Sequence, residues 1–176
     1  NRAQELAGKY DDYHKDGVEI HFIGHLQTNK VRQVADKVSM IHSVDSLRLA
    51  AEIDRQAAKL GRTCDILLEV NVGGEETKSG AEPEDIPAFA RELALFPALR
   101  LRGLMTVPPI CDKMYGSDSD FSRVEQLFID MKDKNRDNRN IDILSMGMSG
   151  DYPQAIRHGA TIVRIGTALF GGRAAL

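Results

Sequence analysis

A chain of 176 residues, 42% hydrophobic and 28% charged with no composition shift along it, has room for one domain around one core. Lys and Arg number 23 against 26 Asp and Glu, and the net charge of −3 leaves no basic footprint for a nucleic acid. No apolar run nears the roughly 18 residues a bilayer crossing needs and no signal-peptide pattern opens the chain, so a cytoplasmic protein without membrane contact is expected.

Residues 2–13 read as a helix, and Asn1 stands where a methionine would open a complete chain, so the start of the protein is expected upstream. Apolar, β-rich runs then alternate with amphipathic ones. Strands are predicted over residues 19–23, 40–43, 65–72, 101–106, 142–146 and 161–165, with helices over 28–37, 46–60, 83–96, 120–134 and 152–158. Asp45 is placed to cap the helix that carries Leu47, Leu49, Ala50 and Ile53, Gly61 to end it, and Pro83 near the start of the next. Residues 132–140, rich in charge, read as a solvated connection. Cys64 and Cys111 lack metal or redox spacing and read as reduced, structural thiols.

Strands that alternate with helices predict a parallel α/β sheet, either doubly wound or part of a barrel. The glycine-rich turn and acidic residue of a dinucleotide fold are missing from the first βα unit. An eight-unit barrel takes about 200 residues or more, so a barrel here lacks one to two units at its front.

Successive strand side chains point to opposite faces, which separates those meeting the helices from those meeting the interior. Over 65–72 the helix side receives Ile66, Leu68, Val70 and Val72, and the interior Glu69 and Asn71. Over 142–149 Leu144 and Met146 meet helices while Ser145, Gly147 and Ser149 turn inward. In the last strand Val163 and Ile165 face helices, leaving Ile162, Arg164 and Gly166 inside. A buried arginine needs partners. The two final strands each run into glycines and a hydroxyl, Ser149-Gly150 and Gly166-Thr167, at a predicted helix start, which is the composition of a phosphate cradle. Barrels often bind phosphate with the loops after their seventh and eighth strands. His21 and His25 are four apart, but one lies in a strand and the other beyond its end, so they are not expected to share a metal.

The segments His21-Phe-Ile-Gly-His-Leu-Gln-Thr-Asn-Lys30, Asn71 with Lys78-Ser-Gly80, Leu101-Arg-Gly-Leu-Met-Thr106, Leu144-Ser-Met-Gly-Met-Ser149 and Val163-Arg-Ile-Gly-Thr-Ala-Leu-Phe-Gly171 occur in one order over essentially the whole chain. Together they resemble the pyridoxal 5′-phosphate homeostasis proteins, single-domain relatives of the barrel domain of alanine racemase. The resemblance implies a (β/α)8 TIM-type barrel, here without its first strand and most of its second, forming a single domain over residues 1–176. It implies pyridoxal 5′-phosphate as cofactor, with phosphate contacts from Ser149, Gly166 and Thr167 and with Arg164 approaching the pyridine nitrogen. A cation there keeps that nitrogen unprotonated and weakens the ring as an electron sink. Asn1, Asn71, Met105 and Ser145 complete the implied cofactor-binding set. The lysine that attaches the cofactor as a Schiff base is expected upstream of Asn1, and neither Lys30 nor Lys78 matches it.

The function so implied is cofactor binding within vitamin B6 and amino-acid homeostasis, by a monomer or weak homodimer, with no residue cast as catalytic. Racemisation needs a base on each face of the cofactor, and no second domain is expected after the last phosphate turn to supply the other. An amino-acid racemase or other enzyme of that cofactor fold type is the first alternative, and a phosphosugar-binding barrel the second.

Overall fold

Among the described residues six β-rich runs become six parallel strands, because each is joined to the next by a segment that returns over one face of the sheet. The computed structural model describes residues 1–15, 17–74, 79–109, 116–134 and 141–172. Its elements are α1 (Ala3–Lys15), β1 (His21–Phe22), α2 (Val31–Val34), β2 (Met40–Val44), α3 (Leu47–Lys59), β3 (Cys64–Val70), α4 (Ile86–Glu92), β4 (Leu99–Thr106), α5 (Gly116–Lys134), β5 (Ile143–Met148), α6 (Tyr152–Arg157), β6 (Ile162–Arg164) and α7 (Thr167–Phe170). Short 3₁₀ turns, Thr28–Lys30 and Leu93–Leu95, lead into α2 and out of α4. Cys111, Lys78 and residues 135–140 of the charged connection lie outside the described residues.

Strand order is β1-β2-β3-β4-β5-β6, and β1 and β6 are the two edges. Strands three places apart in a flat sheet stand about 14 Å from each other. Yet His42 of β2 and Ser145 of β5 are hydrogen-bonded at 3.0 Å. The sheet is therefore strongly curled, with its concave side as the interior. Outside it, Ile41, Val44, Ile66, Leu68, Leu104, Leu144 and Met146 bury against the helices, among them Leu49, Ile53, Ile86 and Phe121. Inside it, Met40, Leu67 and Met105 form a smaller apolar cluster that fills the middle of the curl.

Two local expectations change. Ser46, not Asp45, is the N-cap of α3: its hydroxyl oxygen accepts from the Leu49 amide at 3.4 Å and its proton goes to Asp45 Oδ1 at 3.0 Å. Gly147 does not face the interior. The register shifts between Ser145 and Met148, so alternation breaks there, and a Cβ on Gly147 would meet the Ala155 side chain and the Tyr152 backbone of α6. The expected C-terminal glycine of α3 does hold, since Gly61 follows the C-cap Leu60 with φ of 63°.

At the N-terminal ends of the middle strands Asp65 is buried beneath two arginines. Arg102 donates to Asp65 at 2.7 Å and to Asp142 at 2.8 Å, and Arg100 also donates to Asp65. This ionic plug and the apolar cluster above it close that end, which leaves the C-terminal ends of the strands for a ligand. Among the described residues no helix is long and apolar enough to cross a membrane.

Candidate functional site

The C-terminal ends of β1, β2, β5 and β6 surround a cavity of about 920 Å³. Its rim carries Asn1, Ser149, Gly150, Gly166 and Thr167, and its floor is formed by His21, His42 and Arg164. The volume lies at the roomy end of small-molecule sites.

Arg164 is the charged centre of the floor, placed there because position 164 has interior parity on β6. Its Nη1 donates to the Ser145 carbonyl at 2.9 Å and to Ser145 Oγ at 2.7 Å, and its Nη2 donates to the Thr106 carbonyl at 2.7 Å. Thr106 is held in turn by its hydroxyl, which donates to the Val70 carbonyl at 2.8 Å. Three of the five guanidinium N–H groups are thus fixed to β4 and β5, and two have no acceptor among the described residues. Burial pulls the Arg164 pKa down, and Asp151 and Glu69 oppose the shift.

Ser145 is fully buried and also touches His42, whose Nδ1 lies 3.0 Å from its Oγ. The other ring nitrogen, His42 Nε2, lies 3.0 Å from His21 Nδ1. Burial, then the neighbouring His21 and Arg164, push the His42 pKa down to about 3, so the ring is neutral. Glu69 turns inward from β3. Burial and nearby Asp45 push its carboxyl up to about 7, against the pull of Arg164, and its Oε2 has no hydrogen-bond partner among the described residues.

On the rim, the loop after β5 is set by Asp151, whose Oδ1 accepts from the Met148 amide at 2.6 Å. Ser149 then bridges to the next loop, where its Oγ accepts from the Gly166 amide at 3.1 Å and the Ala168 amide at 3.3 Å. One hydroxyl thereby joins the two glycine-containing loops side by side, and its own proton has no acceptor among the described residues. A Cβ at Gly150 or Gly166 would meet nothing within 4 Å, so both glycines open onto free space.

Of the residues expected from the sequence, Asn1, Ser149, Arg164, Gly166 and Thr167 surround this cavity, and Ser145 lies directly beneath Arg164. Met105 belongs to the apolar cluster below, and the buried Asn71 donates from Nδ2 to Glu82 Oε1 at 3.2 Å, so neither lines the cavity. His25 turns away from His21, toward Ser79 Oγ at 3.0 Å and Asp45 at 3.5 Å. Sequence reasoning weighed His21 only as a metal ligand and did not single out His42. The signal for His42 was present, since a histidine sharing the parity of Met40 within an apolar strand must find partners inside.

The family described as alanine racemase, N-terminal domain, matches residues 13–174. A pyridoxal phosphate homeostasis protein of Aquifex aeolicus is 45% identical, over 98% of this chain and 75% of its own length. One from Pseudomonas aeruginosa is 42% identical, over 98% and 73%. The solved structure of PipY from Synechococcus elongatus without PLP superposes with a TM-score of 0.90 at 34% identity, covering 97% of this chain and 80% of PipY. The form of PipY with PLP bound gives 0.86 at 32%, covering 97% and 79%. Alanine racemase of Clostridium difficile shares the fold, with a TM-score of 0.71 at 18% identity over 96% of this chain and 44% of the racemase. With interior parity, rim loops and near-complete coverage in agreement, the chain belongs to the pyridoxal phosphate homeostasis protein family, built on the alanine racemase N-terminal-domain fold.

Proposed function

We propose that the cavity at the ends of β5 and β6 binds pyridoxal 5′-phosphate and that the protein serves vitamin B6 and amino-acid homeostasis through that binding. The observation that carries this is Arg164, a guanidinium anchored by three hydrogen bonds below the Ser149 and Gly166-Thr167 loops, with two donors unfilled among the described residues. The names of the bacterial relatives and the PLP-bound form of PipY support the same ligand.

The residues present fit the group. Open space before Gly150 and Gly166, with hydroxyls at Ser149 and Thr167, suits a phosphate ester, and Arg164 suits a ring nitrogen with a lone pair. When bound, the cofactor supplies a reactive aldehyde on an electron-poor ring. Ser149 organises the two loops and donates its proton, Thr167 adds a second hydroxyl, and Arg164 orients the ring while discouraging protonation of its nitrogen. Asn1 borders the same space, and Ser145 holds Arg164 from below. Asn71 and Met105 act one layer further out, Met105 by supporting the floor and Asn71 by tying the end of β3 to Glu82. In this proposal residues 1–176 form a single domain and the six strands are part of an eight-strand (β/α)8 barrel that closes between β6 and β1.

A titration of the full-length protein with pyridoxal 5′-phosphate, followed by visible absorption, tests the site. The double variant Ser149→Ala with Thr167→Val weakens binding by about 2–3 kcal/mol, the scale of lost charge-assisted hydrogen bonds, and Arg164→Leu alters the bound spectrum. Unchanged affinity in the double variant would reject this phosphate site.

A further inference from the structure

The floor of the cavity contains a chain of hydrogen bonds whose proton positions follow from counting donors and acceptors. Ser145 is fully buried, and among the described residues its Oγ meets only Arg164 Nη1 at 2.7 Å and His42 Nδ1 at 3.0 Å. A guanidinium has donors and no acceptor, so Arg164 must donate to Ser145 Oγ. The serine proton then has one acceptor within reach, His42 Nδ1. That nitrogen is therefore unprotonated, and the neutral ring carries its hydrogen on Nε2. From there it donates to His21 Nδ1 at 3.0 Å, which places the His21 hydrogen on Nε2, the nitrogen 3.9 Å from Glu19. Every proton in the chain points away from Arg164.

We propose that His42 is a positioning residue for Arg164: as the Nε2–H tautomer it takes the Ser145 proton, which commits the Ser145 oxygen to the guanidinium and holds that guanidinium in place at the cavity floor. The opposite tautomer would present two donors, from Arg164 and His42, to one buried oxygen whose own proton had no acceptor. His21 enforces the choice, since its Nδ1 accepts from His42 Nε2. Ser145 on β5, His42 on β2 and His21 on β1 thus set the orientation of a side chain on β6. The consequence for pyridoxal 5′-phosphate rests on the proposed function, whereas the tautomers themselves do not.

The test uses the full-length protein labelled with nitrogen-15 at histidine and arginine. Without cofactor, long-range proton–nitrogen correlation spectra of wild type show His42 protonated at Nε2 and bare at Nδ1, with resolved, slowly exchanging Arg164 guanidinium signals. His42→Leu collapses those signals by removing the acceptor, and His42→Asn, whose amide oxygen occupies the Nδ1 position, restores them. In titrations with pyridoxal 5′-phosphate, His42→Leu binds about tenfold more weakly than wild type, and His42→Asn recovers most of the loss. A wild-type His42 protonated at Nδ1 would overturn the inference without any variant. So would Arg164 signals that persist unchanged in His42→Leu. Failure of the wild type to bind the cofactor would overturn the proposed function alone, and the unliganded spectra would still decide the relay.

Discussion

Glu69 sits where its ionised form is disfavoured. Its carboxyl is pushed up from 4.5 to about 7 by burial and by Asp45, in spite of Arg164, and one of its oxygens has no partner among the described residues. A folded pKa above the unfolded one means that the proton-bound form favours folding. That stabilisation is complete below 4.5 and is lost as pH rises through about 7. Glu69→Gln keeps the shape without the charge, so above pH 7 it is expected to be more stable than wild type by roughly 3 kcal/mol, and below pH 4.5 to match it. Urea unfolding of both proteins at the two pH values checks this; a variant less stable than wild type at high pH would show that the ionised carboxylate is already well paired. Parity alone had placed Glu69, Ser145 and Arg164 in the interior, because the alternation of side chains along a strand needs no tertiary information. It could not reveal the His21–His42–Ser145 chain, whose members lie on three strands, with its bonded pairs 21 and 103 positions apart.

Within the elements, departures from the expected pattern fall where backbone spacing changes. Gly103 in β4 has φ of 152°, and a Cβ there would strike the backbone carbonyl of Ile143 on β5. Gly61, at the end of α3, has φ of 63° with open space around it. Both glycines are needed for conformation, but only one also for close approach. Gly103→Ala is therefore expected to cost about 3 kcal/mol and Gly61→Ala about 1 kcal/mol in denaturant unfolding. Equal losses would refute the close β4–β5 approach. The parity rule misplaced Gly147 for a related reason, since no residue type announces the register shift after Ser145. At the end of α6, His158 sits between two carboxylates of α5, with Nδ1 2.9 Å from Glu125 and Nε2 3.2 Å from Asp118. Burial lowers its pKa, but hydrogen bonds to Glu125 and Asp118 outweigh that and raise it above 6.5. The clamp between α5 and α6 is thus fully present below 6.5 and released as pH climbs through the raised value. Thermal unfolding across that range tests it: the advantage of wild type over His158→Gln shrinks as pH rises, and an advantage independent of pH would mean that the imidazolium plays no part.

Across the molecule, an ionic plug of Asp65, Arg100, Arg102 and Asp142 closes one end of the curled sheet and the cavity opens at the other. That polarity follows from the parallel strands, because it gathers every β-to-α loop on one rim. The strand count, the α/β class and the pairing of the last two loops were legible in the sequence, since each depends on local periodicity and on glycine and hydroxyl placement. The tautomers of the floor were not, because they arise only when the sheet curls and brings β2 against β5. The most direct measurement of the central claim is a crystal structure of the full-length protein soaked with pyridoxal 5′-phosphate. The account predicts phosphate density between Ser149 and the Gly166-Thr167 turn and the pyridine nitrogen facing Arg164. Ligand density elsewhere, or a ring turned with its nitrogen away from Arg164, would contradict it.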